Sequence, residues 1–178
     1  MLNKWFNAGI IAGIVLFFWG TITHMGFNIE NYIKPIPNEK AVFGALQANI
    51  KEPGLYFYPN EMDSAKLEAR VKTAPRGILT YIPAGTPFSK GQSLGVQFAI
   101  DLSCALLAAF LYSMAAPALK NLTQRLLFIS LLGVFAAIAF LPAYWNWYGF
   151  PREAIAIGLI ESGVGGLLMG LVFAKLIK

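Results

Sequence analysis

The chain has 178 residues, 57% of them hydrophobic and only 13% charged, with a mean hydropathy of +0.58. Soluble domains are about 25% charged, so roughly half the usual charge excludes an ordinary soluble fold and points to a membrane protein. The net charge of +5 comes from cations scattered between apolar stretches; with no basic run it reads as membrane-orienting charge and excludes a nucleic-acid surface. A single cysteine, Cys104, excludes an internal disulfide and any cysteine-based zinc site, and in its apolar setting it is expected to be a small packing residue.

Residues Trp5 to Met25 form the first expected span, after a short cationic start at Met1 to Lys4. No small-x-small cleavage site follows Gly20-Thr21-Ile22-Thr23-His24, so the segment reads as an uncleaved anchor and not as a secretory leader. Gly9 and Gly13 are four residues apart and make a small face for a neighbouring helix, while His24 falls near the outer end at interface depth.

Residues 26–93 are too rich in charge and proline to enter lipid and form an extramembrane cap with eight Lys/Arg and six Asp/Glu. Pro37-Asn38-Glu39 reads as a helix start with Asn38 as N-cap, and Val42, Phe43, Leu46 and Ile50 follow at helical spacing. Lys51-Glu52-Pro53-Gly54 stops that helix. Leu55-Tyr56-Phe57-Tyr58 and Gly77 to Ile82 are strand candidates, expected to pair as an antiparallel ribbon around the charged stretch Glu61 to Thr73, itself a solvated helix or a loop. Such a ribbon is marginal alone and should lean on the 38–50 helix, the membrane or a partner. The aromatics Tyr56, Phe57 and Tyr58 are expected to be buried under the cap, with a peptide- or lipid-docking patch as the alternative.

Leu94 to Ala116 is the second expected span. Ser93, Gln97, Asp101, Ala105, Ala108 and Tyr112 recur at steps of three and four, a polar-to-small face expected to look into the bundle, while Phe98, Leu102, Leu106 and Phe110 populate the remainder. Pro117 to Gln124 is a short connection carrying the sequon Asn121-Leu122-Thr123, which has no meaning on a cytoplasmic side. Leu126 to Trp147 is the third span, with Gly133, Ala136, Ala137 and Ala139 as a small surface and Pro142 as an expected kink. Tyr144, Trp145, Trp147 and Tyr148 form an aromatic belt at the outer interface.

The fourth span, Glu153 to Leu176, carries small residues at Gly158, Ser162, Gly166 and Gly170. On a helix these stack into one ridge that lets another backbone approach closely, as a lipid-facing helix would not require. Three regions result: 1–25, 26–93 and 94–178. The fold class is an all-α membrane protein, a four-helix bundle with a small α+β extracytoplasmic cap. Lys4, Lys120, Arg125, Lys175 and Lys178 would share one side, so both termini are expected in the cytoplasm and the cap periplasmic or extracellular.

Asp101 and Glu161 each lie about seven or eight residues inside an outer span end, hence roughly 10–12 Å deep. His24 and Asn146 are expected above them at the same mouth. Three readings compete: the acids fix helix register through hydrogen bonds, with Gln97 alongside; they line a proton or cation path; or His24, Asp101 and Glu161 hold a metal. The spacing supplies no metal motif, no phosphate-cradling loop and, with one histidine, no Ser/His/Asp set. No cofactor is expected.

The order of one span, a long outer cap and three close-set spans resembles claudin-type and other tetraspan proteins in topology only, since those carry cysteines in the outer segment and this cap has none. The phrases PNEKAV, GLYFYP and GILTYIPAG in the cap are similar to small, uncharacterised bacterial four-span membrane proteins. That resemblance covers the cap and its flanks, implies a bacterial inner membrane and supplies no activity. The expected function is therefore a non-catalytic accessory or assembly subunit. It would pack through its small-residue faces on itself or another membrane protein and use its cap to engage a partner.

Overall fold

In a computed structural model that describes residues 2–27, 29 and 31–177, the apolar stretches become four long helices. Helix α1 (Leu2–Thr21) runs on into one wide π-helical turn, Ile22–Gly26. The cap then gives α2 (Glu39–Asn49), β1 (Gly54–Tyr58), α3 (Ser64–Arg70) and β2 (Gly77–Tyr81). Three further long helices follow: α4 (Lys90–Ala115), α5 (Leu122–Tyr148) and α6 (Arg152–Leu176). All four long helices are long and apolar enough to cross a membrane, which makes this a multi-pass membrane protein.

The helix ends show why the boundaries fall where they do. Ser89 accepts from the Gln92 N–H and opens α4 at Lys90, four residues before the expected Leu94. Asn121 accepts from the Gln124 N–H at 2.9 Å, and the Gln124 side chain accepts from the Lys120 N–H at 2.8 Å. That reciprocal cap starts α5 at Leu122, earlier than the expected Leu126, and gives the asparagine of the apparent sequon its local role. Helix α5 continues unbroken through Pro142 and stops at Gly149, whose φ of 75° favours a residue without Cβ.

The packing order is α4–α1–α6–α5, with α4 and α5 barely touching. The small-residue ridges set this order. A Cβ at Gly166 would sit 2.7 Å from the Ile129 carbonyl oxygen and one at Gly133 would strike the Ser162 carbonyl, so α5 and α6 approach backbone to backbone. Gly170 lies against Leu126 and Gly158 against the Leu141 side chain. Gly9 and Gly13 meet Leu106 and Leu102 of α4 in the same way. The expected ridges are thus real, and this chain's own helices fill them.

On α4 the expected faces need correction. Phe98, Leu102, Leu106 and Phe110 form the seam with α1, with Phe17–Phe98 and Trp5–Phe110 ring centroids 5.4 and 5.6 Å apart. The polar-to-small stripe divides instead: Ala105, Ala108 and Tyr112 are buried, Asp101 is half-buried, and Ser93 and Gln97 are exposed. Large apolar side chains are needed there to reach the grooves beside the α1 glycines. Cys104 is exposed and does not pack as expected, because it lies outside both seams.

The core gathers Ala8 and Ala12, Ala105, Ala109 and Tyr112, Ile129, and Met169 and Phe173, all in the half of the bundle near the termini. Toward the cap the interior loosens. There the β1–β2 ribbon pairs antiparallel, Gly54 with Tyr81 through Tyr58 with Gly77, as expected. Two cap expectations fail. Asn38 precedes α2 but caps nothing with its side chain, since a left-handed backbone (φ 52°) points the chain into the helix instead. β1 is not buried: Leu55 is 69% exposed, and Phe57 and Tyr58 are exposed too. Phe57 nonetheless meets Tyr148 of the α5 aromatic belt at a centroid distance of 6.4 Å.

Candidate functional site

Above the packed core, α1 and its π turn, α4 and α6 surround a cavity of about 440 Å³. Its wall includes both intramembrane acids, Asp101 and Glu161, together with Gln97, His24 and Ser162. A second cavity of about 450 Å³ lies on the α5 side of α6 and is walled by Tyr32, Leu141, Tyr144 and Gly158. Glu161 and His24 belong to both walls, so they form the partition between the two spaces.

Each carboxylate is held by a neutral donor. The Thr23 hydroxyl lies 2.6 Å from Glu161 Oε1 and 3.0 Å from the Gly20 carbonyl, so one hydroxyl proton has two acceptors in reach. His24 Nε2 stands 3.6 Å from the same carboxylate oxygen and forms an ion pair with it when the imidazole is protonated. The π turn places both residues toward α6, as wide turns of this kind often do at functional sites. On α4, the Gln97 amide donates to Asp101 Oδ1 at 3.0 Å, one helical turn away. Trp19 and Leu16 of α1 lie over Gly165 and complete the apolar side of the first cavity.

The expected polar set is therefore only partly assembled. Asp101, Glu161, Gln97 and His24 share one cavity, whereas Asn146 is exposed on α5 and belongs to neither wall. Among the described residues no three His, Cys, Asp or Glu side chains gather as metal ligands, so His24, Asp101 and Glu161 do not form a three-ligand centre. Ser162 lines the cavity but also gives its carbonyl side to the Gly133 contact, so it is both wall and ridge. Thr23 and Trp19 were not singled out by sequence. The GTITHM phrase shows a hydroxyl beside the only histidine, but nothing local says that it faces α6. What the site offers chemically is two carboxyl groups, each with a hydrogen-bonding neighbour, and one imidazole in a largely apolar cleft.

No family model matches the chain, and no match is found among curated proteins or solved structures.

Proposed function

We propose that this is a non-catalytic accessory or assembly subunit of the bacterial inner membrane, with both termini cytoplasmic and the cap outside. It engages a partner membrane protein through that cap. The observation that carries the reading is the cap's lack of an interior. Among its described residues only Pro59 and Tyr81 are buried, while Met62 is 94%, Phe88 83% and Ile82 65% exposed. An extramembrane segment with so little core gains stability by being covered. The small-residue faces do not supply that contact, since the bundle uses them internally.

Gentle solubilisation of native membranes should recover the chain with a second membrane protein at fixed stoichiometry, and Leu55→Lys with Ile82→Lys should release it while the bundle stays folded. A solitary monomer from intact membranes, with the cap unmodified, refutes the reading. Orientation is checked separately with single cysteines placed in the cap of a Cys104→Ser background: labelling from the cytoplasmic side alone overturns it.

A proton or cation path is the second reading, favoured by the meeting of Asp101 and Glu161 on one cavity. The close-packed core of alanines, Tyr112 and Phe173 on the far side argues against a path through one copy. Undiminished flux in proteoliposomes of the Asp101→Asn/Glu161→Gln variant would remove both acids from any such path.

A further inference from the structure

The cavity between α1, α4 and α6 has an imbalance that the accessory reading does not use. Asp101, Glu161 and His24 line it, and among the described residues neither lysine nor arginine does. If the imidazole takes a proton it offsets one carboxylate and leaves the other without a cation. Both acids are oriented by neutral groups, Gln97 and Thr23, which fix direction and supply no positive charge. A carboxyl group at membrane depth is costly in its ionised form, so it is either protonated or paired with a cation that enters the site.

The remaining wall selects the kind of counter-charge. Leu16, Phe17, Trp19, Met25 and Leu94 are apolar, a poor replacement for the hydration shell of a small metal ion. Trp19 offers an aromatic face, the preferred surface for an organic ammonium group. The space exists because α4 and α6, joined by the Tyr112–Phe173 ring contact at 5.5 Å in the core half, otherwise barely touch. A cleft between two spans is open to an acyl chain lying along the helices.

We propose that this cavity binds the ammonium head of an amphiphile, with the head between Asp101 and Glu161 and the tail along the apolar wall of α1 and α4. Two sources share that chemistry, an aminophospholipid and a free long-chain amine. The site is independent of the cap, so failure of partner capture leaves it untouched and its own failure leaves the cap reading standing.

The test uses full-length protein in nanodiscs of an anionic phospholipid. A dibrominated dodecylammonium ion is titrated while tryptophan emission is followed, with dibrominated dodecanol as the uncharged control and Trp19→Phe to assign the signal. Saturable quenching by the ammonium compound, absent in Trp19→Phe and weakened at least tenfold by Asp101→Asn or Glu161→Gln, is the expected result. Equal quenching by amine and alcohol overturns the proposal, as does an unchanged isotherm in both acid variants. The amine-against-alcohol comparison needs only the wild-type chain, so a variant that fails to fold does not block the decision. Native mass spectrometry then separates the sources. Retention of an aminophospholipid over choline and glycerol phospholipids of the same chains identifies a lipid head, and displacement by dodecylammonium without such retention identifies a free amine. If neither is held selectively, the cavity is not an ammonium site.

Discussion

Replacing Gly166 by alanine probes a backbone-to-backbone approach between α5 and α6. The added methyl would lie 2.7 Å from the Ile129 carbonyl oxygen and 2.8 Å from the Ser130 Cα. Comfortable contacts between such atoms fall at about 3.5–4.0 Å, so α5 and α6 must separate by roughly 1 Å at this point. Both obstacles are backbone, and no rotamer change relieves them. Overpacking of this kind costs about 1–3 kcal/mol, against which the better helix propensity of alanine returns at most about 1 kcal/mol. Gly133→Ala faces the Ser162 carbonyl and should behave alike, whereas at Gly158 the obstacle is the end of the Leu141 side chain, which can swing away. At Gly95 a methyl meets nothing within 4 Å, so Gly95→Ala should be neutral or slightly stabilising. Unfolding in mixed detergent micelles, followed by far-ultraviolet ellipticity and by protease resistance, ranks the four. The expected order of loss is Gly166 and Gly133 first, Gly158 next and Gly95 last; equal stability of Gly166→Ala and Gly95→Ala would refute the packing argument.

Thr23→Val removes the 2.6 Å contact to Glu161. A double-mutant cycle with Glu161→Ala in micelles should give a coupling of about 0.6–1.7 kcal/mol, the range of interhelical hydrogen bonds in membranes, and zero coupling would mean the two do not interact. Asn121→Ala strips the α5 cap and should cost about 1 kcal/mol, read as faster amide hydrogen exchange over residues 122–125. At Asn38, where φ is 52°, valine should destabilise α2 relative to glycine by about 1–2 kcal/mol; equal exchange rates in the α2 amides of the two variants would contradict the left-handed assignment.

Some of this molecule is written in short stretches of chain and some is not. The four spans, the two strands and the helix after Pro37 are legible because each depends on local hydropathy, spacing and turn chemistry. The ridge at Gly158, Ser162, Gly166 and Gly170 is legible for the same reason, since its periodicity lies within one helix. The reciprocal cap of Lys120, Asn121 and Gln124 is equally local, and it opens α5 at Leu122, ahead of the expected span at Leu126.

Which surface fills which groove could not be read, because that is a matter of complementarity between residues far apart in the chain. Only the folded bundle decided that the α6 ridge takes α5, that the α1 glycines take Leu102 and Leu106, and that bulky residues, not the polar stripe, make the α1–α4 seam. The same holds for Thr23 and Trp19, which gain a role only when α1 lies beside α6, and for Asn146, which is expected above the acids at the same mouth but is exposed on α5 outside the cavity. Hydrophobic patterning fixes how much chain must be in the bilayer. Backbone approach at glycine, and the parting of α4 from α6, fix where the acidic side chains and open space coincide.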